Sequence, residues 1–269
     1  MTDNTEETAT DGLSFSVSEG IARITLDRPD AGNAITLPLA HALLKVALRC
    51  QTDEAIRCIL VTGRGRLFCA GGDVHLLAGA GERRPEVLSE LIAVFHAGVQ
   101  RLAQAQKPLV TAINGPAAGA GFSLALLGDI ALAARSAHFT AAYGAIGLTP
   151  DGGLSWLLPR LVGMRKAQDI ILTNRRIKAD EAEAIGLVTR VVEDDALAAE
   201  AEAQARTLAN GPTGALAAAR ALLAGSFETG FETQLDRELR FMAAAGADAE
   251  SAEGLTALLE KRTPNFRSR

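Results

Sequence analysis

The chain is short of the residues and patterns that mark several protein classes. Its three cysteines are odd in number and lack a CxxC spacing, so neither a disulfide framework nor a cysteine-rich zinc module is written in it. Cys50, Cys58 and Cys69 lie in or beside apolar segments and read as buried free thiols, which points to a reducing, cytoplasmic setting. His41, His75 and His138 show no metal-ligand spacing with one another or with cysteine, so no metal is expected. There is no excess of cations: 27 Lys and Arg against 32 Asp and Glu leave a net charge of −5, which argues against nucleic acid or an anionic membrane as partner. No apolar run is long enough, free of Gly, Asp or Arg, to cross a bilayer. The opening MTDNTEETATDG has neither a basic region nor an apolar one, so it is expected to be a loose acidic tail over residues 1–12. GxGxxG and the Walker Lys-Ser/Thr pattern are missing too, which removes the usual support for dinucleotide or nucleoside triphosphate binding.

What is present is a large apolar content. At 48% hydrophobic over 269 residues the chain can bury a substantial core as one large domain, or a domain with an appendage. LSFSVSEGIARITLDRP alternates on both sides of Glu19-Gly20 and predicts a hairpin. Thr36 ahead of Pro38 and an apolar-periodic run through Leu48 predicts a helix, and IRCILVTG a buried strand. Leu88, Leu91, Ile92, Phe95, Val99 and Leu102 form a second helical stripe, ended at Lys107-Pro108 before the short strand LVTAI. A short apolar helix and the strand DIALAA follow. Repeated strand-then-helix units imply a parallel or mixed sheet with helices outside it. From about Leu154 the chain reads as some five helices interrupted by GLVTRVV, with Trp156 in the core. The amphipathic stripe Phe231, Leu235, Leu239 and Met242 can pack on another subunit or on its own core.

Two glycine-rich segments each follow a buried strand: GRGRLFCAGGDV (63–74) and NGPAAGAGFSLAL (114–126). Small residues let a ligand approach the backbone, and a turn feeding a helix leaves free N–H groups aimed outward. Two such turns facing each other make an oxyanion hole; each alone is ordinary tight loop packing. A third stretch, GLTPDGGLSW, places Asp151 in a turn before a helical pattern, where a carboxylate is either a helix cap or a catalyst.

These segments, with LDRPDAGNAI and the terminal LLEKRTPNF, resemble the crotonase superfamily, the enoyl-CoA hydratase/isomerase family, from about Leu13 to Phe266. The resemblance implies an α/β fold: a crotonase spiral of strand-strand-helix repeats over 13–200 and a C-terminal helical trimerisation region over 201–269. It also implies an acyl-CoA ligand, with coenzyme A as part of the substrate and no separate cofactor, and assembly as a homotrimer or a dimer of trimers. It places the oxyanion hole at the N–H groups of Gly72 and Ala120. The family's hydratases carry two glutamates at positions aligned with Ser123 and Tyr143, and neither is a carboxylate here. Asp151 then resembles the single acid/base of acyl-CoA isomerases, in the subgroup acting on ring-epoxidised phenylacetyl-CoA and on unsaturated acyl-CoAs. In the aryl-CoA dehalogenases the aligned aspartate is a nucleophile, and His96 aligns with a histidine of that subgroup. A hydratase holding water between Ser123 and Asp151, and a non-catalytic binding homologue, are further alternatives. Substrate contacts are implied at Arg28, Ala31, Ala70, Asp73, Ser123, Tyr143, His96, Lys261 and Phe266. As a sequence reading, Tyr143 lines the acyl pocket or hydrogen-bonds Asp151, His96 is packed, solvated or catalytic, and Arg28, Lys261 and Arg262 meet CoA phosphates or only solvent.

Overall fold

Ten strands and eleven helices are arranged around one mostly parallel sheet in the computed structural model, which describes residues 8–267. The main sheet runs in the order β1 (Thr8–Thr10), β2 (Leu13–Ser18), β3 (Ile21–Leu26), β4 (Cys58–Gly63), β5 (Leu109–Ile113), β7 (Ile130–Ala134) and β10 (Arg190–Val192). The first two pairings are antiparallel and the rest parallel. β1 falls inside the stretch expected as an acidic tail, where Thr8–Thr10 pair with Leu13–Phe15; residues 1–7 of that stretch lie outside the described residues. A smaller sheet joins β6 (Ala117–Ala118), β8 (His138–Thr140) and β9 (Ile177–Lys178).

The strands follow from their sequences. β5 is buried along its whole length and β4 over Cys58–Val61, as continuous apolar runs require in a sheet covered on both faces. The hairpin turns at Glu19-Gly20 between β2 and β3. The helix after it, α1 (Leu37–Thr52), begins where Thr36 predicts, with the threonine hydroxyl accepting from the Leu39 N–H and Pro38 in the first turn. α2 (Val74–Gly79) leads to α3 (Arg84–Gln104), which packs against α1. α4 (Ala120–Ala125) is buried throughout.

Beyond it the helices are α5 (Leu154–Val162), α6 (Met164–Thr173), α7 (Ala179–Ala184), α8 (Leu197–Asn210), α9 (Thr213–Gly225), α10 (Phe231–Gly246) and α11 (Ala249–Glu260). These are seven helices where about five were expected. The extra ends come at Gly163, which divides α5 from α6 with φ 82, and at Asn174, which closes α6 in the left-handed conformation. α8 packs against β4 and β5, with Ala201, Ala205 and Ala209 buried. Trp156, expected in the core, is 41% exposed, with the Arg160 guanidinium 3.8 Å from its ring centroid. One helical turn separates the two residues, so the cation covers a ring that the core does not take in. No helix among the described residues is long and apolar enough to cross a membrane.

Candidate active site

The two glycine-rich turns lie against each other. Cys69 bridges Ala117, the Ala118 N–H donates to Cys69 O at 2.9 Å, and Gly72 forms a bridge with Ile35. Around Gly72 the neighbouring amides are engaged: Ala70 N–H on Gly32 O, Gly71 N–H on Cys69 Sγ and Asp73 N–H on Ile35 O. The Gly72 N–H has no acceptor among the described residues. In the second turn Gly119 N–H donates to Thr140 O, while the Ala120 N–H, first in α4, has no acceptor either. Gly71 is what allows the approach. Its φ is +97, and a Cβ there would stand 2.8 Å from Ala118 O and 3.4 Å from Ala120 N.

Gly72 and Ala120 both line a cavity of about 380 Å³. One wall is the stripe Leu88, Leu91, Ile92 and Phe95 of α3, so part of what reads in the sequence as a core face is a pocket face. Val74, Leu77, Ile146 and Leu148 extend the apolar lining. Periodicity finds such residues without distinguishing the core from a cavity, since both need the same apolar stripe.

Asp151 is the one carboxyl among the described residues that line this cavity. It does not cap α5: the cap position is Gly153, with no side-chain cap bond. Instead Tyr143 Oη donates to Asp151 Oδ1 at 2.6 Å, so the only tyrosine in the chain both lines the pocket and holds the carboxylate. Ser123, fully buried, has its hydroxyl 3.2 Å from Tyr143 Oη and donates to the Asp151 carbonyl at 2.8 Å. Burial raises the Asp151 pKa above the ordinary carboxylate value, and the Tyr143 hydrogen bond, which favours the charged form, only partly opposes it. Tyr143 is pushed up in turn, by burial first and by the Asp151 charge second, so its hydroxyl stays protonated at neutral pH.

The other expected contacts are dispersed. Ala70 lines the cavity, with Gly32 behind it: a Cβ on Gly32 would stand 3.3 Å from the Ala70 Cβ. Ala31 is exposed in the short turn beside that glycine. Arg28 donates to Ala34 O at 2.5 Å and pairs with Asp73 at 3.5 Å, while Asp73 caps α2 by accepting from His75 and Leu76 N–H. His96, exposed on α3, accepts from the Gly152 N–H through Nε2 at 2.9 Å. Lys261 closes α11, and Phe266 packs near Gly254; neither lines the cavity. Arg262 is committed to Glu253 and Glu260. The three thiols are buried and each is pushed up to about 12 by desolvation, which keeps them protonated. Among the described residues no cluster of three or more His, Cys, Asp or Glu is placed to hold a metal ion.

Known proteins share both the chain and this arrangement of elements. The family model described as enoyl-CoA hydratase/isomerase matches residues 16–269. A 1,2-epoxyphenylacetyl-CoA isomerase of Escherichia coli (strain K12) is 38% identical over 251 residues, which are 93% of this chain and 96% of that protein. A probable enoyl-CoA hydratase of Rhodobacter capsulatus is 39% identical over 257 residues, covering 96% and 98% of the two chains. The crystal structure of an enoyl-CoA hydratase from Polaromonas sp. JS666 superposes with a TM-score of 0.90 at 31% identity, covering 95% of this chain and 99% of its own. With the match running from β2 to the C-terminus and carrying both glycine-rich turns, this chain is an enzyme of the enoyl-CoA hydratase/isomerase family, within the crotonase superfamily.

Proposed function

We propose that this enzyme is an acyl-CoA isomerase that polarises a thioester carbonyl at the Gly72 and Ala120 N–H groups and moves a proton with Asp151. The observation that carries this reading is the single carboxyl among the described residues that line the cavity: Ser123 and Tyr143 offer hydroxyls where the family resemblance implies the two hydratase glutamates. Isomerisation needs only one such group. The Asp151 carboxylate takes a proton from the carbon next to the thioester of a 3-enoyl-CoA, and the electron pair delocalises onto the thioester oxygen. The resulting carboxylic acid returns the proton two carbons further along, shifting the double bond without gain or loss of atoms. Each backbone donor on the developing oxyanion is worth about 2.7 to 4 kcal/mol in comparable sites. The raised pKa of Asp151 supports the role, since a base works best when its pKa approaches the working pH.

The test is incubation with crotonyl-CoA, 3-enoyl-CoAs, ring-epoxidised phenylacetyl-CoA and 4-chlorobenzoyl-CoA, with products identified by mass spectrometry and NMR. A product of unchanged mass and altered connectivity supports the proposal. Rapid water addition as the dominant reaction, or replacement of chlorine, overturns it in favour of a hydratase or a nucleophilic Asp151.

The assembly we propose is a homotrimer or a dimer of trimers built through the C-terminal helices. No residue of α10 is buried, and Phe231, Leu235, Leu239 and Met242 are exposed on it, together with Leu255, Leu258 and Leu259 of α11. Closed symmetric association removes such faces from water. A stable monomer by light scattering at micromolar concentration counts against it.

A further inference from the structure

The peptide bond joining Asp151 to Gly152 is held at both ends. Its carbonyl oxygen accepts from Ser123 Oγ at 2.8 Å, and its N–H donates to His96 Nε2 at 2.9 Å. The Leu154 N–H adds a second bond to the same carbonyl at 3.0 Å. Gly152 is also wedged sterically. At φ +58, a Cβ on it would stand 2.8 Å from Ser123 Cβ and 2.9 Å from Phe95 Cε1. Ser123 comes from α4, directly after the Ala120 turn, and Phe95 and His96 from α3, so two separate elements fix one peptide plane. The side chain of Asp151 is anchored independently, through Tyr143.

From this we infer that His96 is a positioning residue: with Ser123 it clamps the Asp151–Gly152 peptide and so aims the Asp151 carboxylate into the cavity. The role differs from the substrate contact or catalytic histidine that the alignment suggests, because His96 is outside the cavity lining and its Nε2 is occupied by a backbone amide. To accept there, the ring must be neutral with its proton on Nδ1. The inference rests on the isomerase reading only for the purpose of the clamp, not for its existence. Small errors in the aim of a reacting group are costly in rate and leave binding of the remainder of the ligand intact.

Two variants separate an acceptor from a mere filler. His96→Gln can still offer an oxygen to the Gly152 N–H, whereas His96→Leu keeps bulk and offers none. In steady-state assays on the best isomerisation substrate, His96→Leu should lower kcat roughly ten- to a hundredfold with KM little changed, and His96→Gln should recover most of it. A second readout needs no substrate. Asp11-Gly12 and Asp151-Gly152 are the only Asp-Gly pairs in the chain. Labelling Asp with carbonyl ¹³C and Gly with ¹⁵N therefore isolates the Gly152 amide in a two-peak NMR spectrum, with Asp151→Asn identifying the peak. His96→Leu should speed hydrogen exchange of that amide about two- to tenfold, the scale of one lost hydrogen bond, and His96→Gln should not. Unchanged exchange in His96→Leu overturns the clamp, whatever the enzyme's reaction. Faster exchange with unaltered kcat, or equal kcat losses in both variants, overturns the positioning role.

Discussion

The Tyr143 hydroxyl donates to Asp151 Oδ1 at 2.6 Å across the wall of an apolar cavity, and two opposed effects meet on the carboxyl. Burial disfavours its charge and the hydrogen bond favours it, with burial the larger. Removing the bond leaves burial unopposed from that side. Tyr143→Phe should therefore raise the Asp151 pKa further. Because Asp151 must be ionised to act as the proposed base, the acid limb of kcat/KM should move to higher pH in the variant. A pH–rate profile of the two proteins measures this, and a limb displaced to lower pH would contradict the assigned bond.

Asp151→Asn separates chemistry from stability. Asn keeps an oxygen that can accept from Tyr143 but cannot take a proton as a base, so turnover should fall about a hundredfold or more. Stability should move the other way. Since the native pKa is raised, the folded protein binds this proton more tightly than the unfolded chain, and stability is lost as pH rises from the unfolded pKa through the folded one. The variant is then more stable than the parent at neutral pH, with the gain fading below about pH 4, where both states of the parent are protonated. Thermal melts at the two pH values check the sign.

The sequence makes the scaffold legible where local chemistry and tertiary position agree. Thr36 and Pro38 mark the start of α1, alternation marks the hairpin, and uninterrupted apolar runs mark β4 and β5. It is less informative where one pattern serves two purposes. The α3 stripe reads identically whether Leu88 and Ile92 face a core or a cavity, and an aspartate before a helix reads equally as a cap or a catalyst until its partner is known. Size and apolarity argue for burial of Trp156, while an arginine one turn along covers the ring outside the core. Tyr143 reads as a pocket wall or as the partner of Asp151, eight residues on, and the structure gives it both roles; the left-handed Ala142 before it and Gly147 after it, which set that approach, leave no periodic trace. His96 reaches Gly152 across 56 residues, a relation that spacing does not carry.

Adjacent glycines in the first turn should respond differently to substitution. Gly71 has φ +97 and a Cβ position 2.8 Å from Ala118 O, so Gly71→Ala should cost about 1–3 kcal/mol in backbone strain, with the steric clash in addition. Gly72 has no atom of the described residues within 4 Å of its Cβ position, so Gly72→Val should fold normally. Its side chain takes up room where the thioester is proposed to approach, so turnover should still be lost. Denaturant midpoints and kcat/KM for the pair provide the check. Unchanged kcat/KM in folded Gly72→Val would remove Gly72 from the proposed oxyanion hole.

Hydration of crotonyl-CoA should be slow. Adding water across the double bond requires one group to deprotonate the water and another to protonate the α-carbon, and each positioned acid or base typically contributes about 10²–10⁴-fold. Asp151 can serve one of those needs. The second falls to Ser123 or Tyr143, and neither is placed for it: the Ser123 hydroxyl proton is already given to the Asp151 carbonyl, and the Tyr143 hydroxyl is pushed further from ionisation by burial and the neighbouring charge. The rate should accordingly fall about 10²–10⁴-fold below that of a two-glutamate hydratase assayed alongside it, followed as loss of enoyl absorbance. Introducing Ser123→Glu alone should not restore it, because the buried Ser123 site already abuts Tyr143 and the Asp151–Gly152 peptide and has no room prepared for a longer ionised chain. Fast hydration by the parent enzyme would mean that Asp151 and a hydroxyl suffice as the acid/base pair, and the isomerase assignment would give way to a hydratase.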